Sequence, residues 1–257
     1  MVQRKTSEIF EAVKQWLTTS LGKALLQQEV RVAEEAFDGI FGEQCLQLGS
    51  WGESHAFLRF ARTQRSTSIW DLDAATAGDL PGGWGQLHRL PIASDSIDAV
   101  LLPHTLDFSD RPHAILREVH RVLRSDGHLV VLGFKPGGLW GLRRLIPGAG
   151  LPPGADNLIS DRKLKDWLQL LDLRIHGVHR YFFRWPLPGN RGLSSQVWER
   201  RGQRFWPELA ACYMLTAQKR LYTLTPVKKP WRARPKVVGS FVKPTTRISR
   251  IRFDQNS

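Results

Sequence analysis

The feature that most constrains this chain is the run His128-Leu129-Val130-Val131-Leu132-Gly133-Phe134, which is apolar at nearly every position. A strand that buries one face alternates apolar and polar residues. One that is apolar throughout is covered on both faces, as central strands of parallel sheets are. Just upstream, Pro112 to Leu123 places Ile115, Leu116, Val119, Val122 and Leu123 on one helical face. Ser125-Asp126-Gly127 is expected to stop that helix, with Gly127 in the left-handed cap position.

The same alternation extends in both directions. Thr6 to about Phe37 reads as helical, with a break at Gly22. Cys45 to Leu48 is a short strand that runs into the turn Gly49-Ser50-Trp51-Gly52, followed by a short helix through Phe57 to Phe60. Ser68 to Trp70 is a second strand, ending on Asp71-Leu72-Asp73, and Ile97 to Leu102 is another. Ser160 caps a helix through Leu171, and strands are expected near Leu173 to Phe183 and Leu209 to Gln218. Strands alternating with helices imply a doubly wound α/β domain with a mostly parallel sheet and helices on both faces. The expected division is residues 1–42 as capping helices, 43–225 as the main domain and 226–257 as a tail.

In such a sheet the ligand lies beyond the carboxyl ends of the strands, where the strand order reverses. That singles out Gly49, Ser50 and Gly52, whose turn brings backbone N–H groups close to a ligand. It also singles out Asp71 and Asp73, because a carboxylate at that place commonly accepts hydrogen bonds from ribose hydroxyls. Trp140 and Arg143 are expected either at a substrate entrance or as cover over the sheet edge. His179, Tyr181 and Trp185 read as core and rim.

The segments Leu90-Pro91-Ile92-Ala93-Ser94-Asp95-Ser96-Ile97-Asp98-Ala99-Val100 and Leu123-Arg124-Ser125-Asp126-Gly127-His128-Leu129-Val130 carry a more specific signal. They resemble the "LPF-(small)-D-x-S-F-D-x-V" and "R-V-L-x-P-G-G-x-L" runs of the type 11 group of class I S-adenosylmethionine-dependent methyltransferases. The likeness extends over roughly Gln44 to Phe134. It implies a seven-stranded Rossmann-like sheet, S-adenosylmethionine as cofactor, and methyl transfer to an acceptor by direct displacement. On that pattern Gln86, Leu90 and Pro91 flank the adenine, while His104 and Asp107 face the methyl group. His104, whose ordinary pKa lies near neutrality, is then the candidate general base, with Asp107 to orient it or act alone; the alternative is that His104 only packs or hydrogen-bonds at a strand end. The chain also departs from the pattern. Gln47 stands where the first motif has an acid, Trp51 replaces its middle glycine, and Glu53 stands where the last glycine belongs. Gln86 takes the place of an adenine-binding aspartate and supplies no charge. These departures support an alternative, a methyltransferase-like binding module without catalysis.

Charge and cysteine content complete the expectation. Residues 226–257 hold nine Lys or Arg against one Asp, so the tail supplies +8 of the chain's net charge of +13. Such a tail suits RNA or an anionic surface, or serves only to solubilise. The methyl acceptor is left open between a small or lipid-like molecule and a macromolecule. Cys45 and Cys212 stand apart in apolar stretches and read as buried thiols in a reducing compartment. His and Cys show no metal-ligand spacing. With charges of both signs in Met1 to Glu11 and no long apolar run, the expected location is cytoplasmic.

Overall fold

The computed structural model describes residues 2–52, 56–71, 82–138, 140–141, 152–155, 157–183, 202 and 204–220. The tail at 226–257 therefore lies outside the described residues. So do Asp73, Arg143 and Trp185.

Two helices open the chain, α1 (Val2–Thr18) and α2 (Ser20–Phe37). They part at Thr19, not at Gly22. The Thr19 hydroxyl accepts a hydrogen bond from the Gly22 amide at 3.1 Å, the usual service of an N-cap. Gly22 is needed for closeness instead: a Cβ there would lie 2.4 Å from the Trp16 carbonyl oxygen.

The strands are β1 (Phe41–Leu48), β2 (Arg62–Asp71), β3 (Gly83–Gly85), β4 (Ile97–Pro103), β5 (Leu123–Phe134), β6 (Leu173–Tyr181) and β7 (Cys212–Lys219). They form one seven-stranded sheet in the order β3-β2-β1-β4-β5-β7-β6. Strands β1 to β5 run parallel, and β7 inserts antiparallel between β5 and β6. Several strands begin earlier than their apolar runs, because pairing extends into polar flanks. At the start of β1, Asp98 Oδ2 accepts from the Glu43 and Gln44 amides at 2.8 and 2.9 Å, fastening a polar end to β4. The short helix expected through Phe60 is a single 3-10 turn, Leu58–Phe60.

Helices α3 (Pro112–Val122) and α4 (Asp161–Leu170) pack on the sheet, and Ser160 caps α4 by accepting from the Lys163 amide. The glycine stop expected for α3 is not formed. Leu123 is already extended, and the left-handed residue is Asp126, with φ 66°. The chain passes directly into β5 through an irregular stretch of the β4–β5 ladder between Ile97 and Ala99. There Gly127 admits close approach: a Cβ would meet the Arg124 carbonyl oxygen at 2.9 Å.

Alternate residues of β5 enter different cores. Val130 and Leu132 join Leu25, Val32 and Phe37 of α2, whereas Leu129 and Val131 join Leu116 and Val119 of α3 and Leu164 and Leu168 of α4. The sheet is thus covered on both faces, as its apolar run requires. Both cysteines are buried, and burial pushes the Cys45 thiol up to about 12, where it is inert at neutral pH. Among the described residues no helix is long and apolar enough to cross a membrane.

Candidate functional site

Strand order reverses between β1 and β4, and the site is built beyond their carboxyl ends. After β1 the chain turns at Gly49, whose φ of 87° favours glycine. A Cβ there would also lie 2.6 Å from Thr105 Oγ1. The Thr105 hydroxyl donates to the Leu48 carbonyl at 2.5 Å and so ties the turn to β4. Gln47 is buried, with its Nε2 donating to the Gly49 carbonyl at 3.3 Å and its Oε1 left without a partner. Ser50 is half-buried. Gly52, at φ 69°, presses against Leu26 of α2.

Toward the sheet edge, Asp71 ends β2 and is half-buried. Gln86 is exposed just past β3, bridged to Arg89. Leu90 is buried, and its amide donates to Glu118 Oε2 at 3.0 Å; Pro91 beside it is exposed. Arg121 of α3 donates to the Leu90 and Ile92 carbonyls at 3.1 and 2.9 Å, which holds this loop in place.

His104 follows β4 in the left-handed region, φ 56°, a conformation that costs a non-glycine residue of order 1–3 kcal/mol and is tolerated where surroundings enforce it. They do so here. Its Nδ1 lies 3.1 Å from Asp107 Oδ2, which also accepts from the Phe134 amide at 3.0 Å. Its Nε2 lies 2.7 Å from Glu29 Oε1, and Glu29 Oε2 accepts from Trp51 Nε1 at 2.5 Å. The Tyr181 hydroxyl stands 3.5 Å from Glu29 Oε1. Trp51 and Phe134 lie against the imidazole with ring centroids 4.4 and 4.1 Å away.

Both imidazole nitrogens face carboxyl oxygens, and with both carboxyls ionised the two bonds form together only when both nitrogens carry protons. Burial opposes that charge, but the charge of Glu29 and the hydrogen bond with Asp107 outweigh it and raise the His104 pKa to about 9. Burial pushes the Asp107 carboxyl up, against the hydrogen bond and charge of His104. Glu29, at the shorter distance, is therefore the main counter-charge.

The structure thus brings His104, Asp107 and Trp51 together, and places Asp71, Gln86, Leu90 and Pro91 toward the other end of the sheet edge. Trp140 is fully buried, edge-on to Trp16 and Phe182, and belongs to the core, not to an entrance. Glu29 escaped the sequence reading. Its one signal was a lone acid between Leu25 and Val32 on the apolar face of α2. Tyr181, read as core, is core and also touches the network.

The residues present fit the two halves of S-adenosylmethionine differently. By the resemblance, Gly49, Ser50 and Asp71 would suit the adenosyl half: a left-handed glycine turn, a half-buried serine and a carboxylate at the end of β2. Where the resemblance would seat the methionine half, Trp51 is only 1% exposed and packs on His104, Phe108 and Phe134.

Order, directions and site position together define a class I methyltransferase fold, and the chain resembles the type 11 group of that class. Residues 73–131 match the family described as a methyltransferase domain. Over 145 residues the chain is 34% identical to the uncharacterised protein YafS of Escherichia coli, covering 55% of this chain and 57% of that protein. Over 62 residues it is 42% identical to a malonyl-[acyl-carrier protein] O-methyltransferase of Laribacter hongkongensis, covering 24% and 21%. The chain thus spans little more than half the length of the first relative and about a fifth of the second. Among solved structures, a SAM-dependent methyltransferase of Thermotoga maritima, described as a possible histamine N-methyltransferase, superposes with a TM-score of 0.60. It shares 15% identity and covers 83% of this chain and 98% of its own. One from Archaeoglobus fulgidus superposes at 0.54 with 15% identity, over 76% and 94%.

Proposed function

We propose that this chain catalyses methyl transfer from S-adenosylmethionine to an acceptor by direct displacement. The observation that supports this most is the convergence of the glycine turn after β1, the carboxylate ending β2 and the His104–Asp107 pair after β4 on the switch point of a methyltransferase sheet. When bound, the cofactor supplies an electrophilic methyl group. The chain's own residues bind and orient: Gly49, Ser50 and Asp71 at the adenosyl end, with Gln86, Leu90 and Pro91 beside the adenine. Trp51 excludes water from His104. While Glu29 and Asp107 both face it, the imidazole holds its protons and acts as a cation, not as a base. Orientation alone supplies much of the rate of an in-line displacement, about 7–11 kcal/mol when well arranged.

Calorimetric titration with S-adenosylmethionine and S-adenosylhomocysteine tests this. Micromolar binding that weakens in Asp71→Ala supports the reading. Absence of binding at millimolar ligand favours the second reading, a binding module without catalysis, which the burial of Trp51 recommends. For the acceptor, the tail at 226–257 supports contact with RNA or an anionic surface. Affinity for RNA that falls steeply with salt and vanishes on deletion of the tail is the expected sign.

A further inference from the structure

We propose that Glu29 is a positioning residue and latch: from α2 it holds Trp51 and His104 at once, and the methionine half of the site opens only when α2 withdraws it. This rests on the reading that the site takes S-adenosylmethionine. Glu29 is fully buried and comes from a helix outside the sheet, 75 positions before His104. One oxygen holds the Trp51 indole, and the other holds the imidazole that the indole packs on. A single withdrawal of Glu29 therefore releases the indole's hydrogen bond and frees Nε2 of His104 at once. Gly52 and Gly22 let α2 sit close: Leu26 of α2 lies where a Gly52 Cβ would be, and the α1–α2 corner packs on Gly22. The titratable groups facing the imidazole are Glu29 of α2 and Asp107 after β4, with Tyr181 of β6 beyond Glu29 and Cys212 of β7 close to Tyr181.

Glu29→Gln keeps the shape and removes the charge; Trp51→Phe releases only the indole bond and serves if the first variant folds poorly. Three measurements apply to the full chain. In NMR titration of the His104 ring, Glu29→Gln is expected to bring the pKa down from about 9 toward its ordinary value. In native-state hydrogen exchange, α2 is expected to open more readily than β5, and further in either variant. In calorimetry, both variants are expected to bind S-adenosylhomocysteine about tenfold or more tightly than the parent, since less of the protein is closed. Exchange of α2 only in the same global event as β5, in parent and variants alike, overturns the latch. Unchanged affinity in variants whose His104 titration has shifted also overturns it. Failure of parent and variants alike to bind at millimolar ligand refutes the cofactor reading, while the exchange data still decide whether α2 opens.

Discussion

The two ends of the site edge are made differently. Beyond β1, β4 and β5 the surface is closed: an ion network of Glu29, His104 and Asp107 is sealed under Trp51, Trp16 and Trp140. Beyond β2 and β3 the described residues are less buried: Asp71 is half-buried and Gln86 exposed, beside the three-residue β3. Burial makes the first half costly to disturb, because a charge out of water depends wholly on its partners. The second half tolerates change because solvent replaces what is lost.

The largest effect is expected at the closed end. Glu29→Leu leaves the buried His104 ring and Trp51 indole without their shared carboxylate and should cost about 3–5 kcal/mol at pH 7 by urea unfolding. A loss as small as that at a surface site would break the contrast. Next comes pH. His104 has a folded pKa of about 9, raised above its ordinary value of 6.5. Its contribution is therefore complete below about 6.5 and is lost as pH rises through about 9. That amounts to about 3 kcal/mol on the linkage relation, and urea midpoints across this range should show it. Glu29→Gln should flatten the profile.

Trp51→Phe removes the donor to Glu29 Oε2 and keeps most of the packing, so about 1–2 kcal/mol is expected. The smallest stability change belongs to the open end. Asp71→Ala should shift unfolding by about 1 kcal/mol or less while weakening S-adenosylhomocysteine about tenfold, measured by the same calorimetry. An equal stability loss at Asp71 and Trp51 would erase the distinction between the two ends.

Much of the scaffold was legible because it rests on local patterns. The apolar run at 128–134 announced a strand covered on both faces, and the spacing of Ile115, Leu116, Val119 and Val122 announced α3. Ser160 announced the start of α4. Strand ends were less legible. Arg62 to Thr67 carries no apolar pattern, and β2 forms there because β1 offers it a ladder. The stop of α3 was misread because glycine served a close backbone approach instead of a left-handed turn. At the site, Gly49, Asp71, His104 and Asp107 stood out through their place at strand ends.

By itself the sequence determined the alternation of strands and helices, hence a doubly wound sheet whose carboxyl ends hold the candidate site residues. Hydrophobic periodicity is a property of neighbours in the chain. Only the tertiary structure decided what the site contains, by bringing Glu29 of α2 against Trp51 and His104 from distances of 22 and 75 positions. An acid on an apolar helix face states a cost. Which buried donors offset it depends on where the sheet carries them.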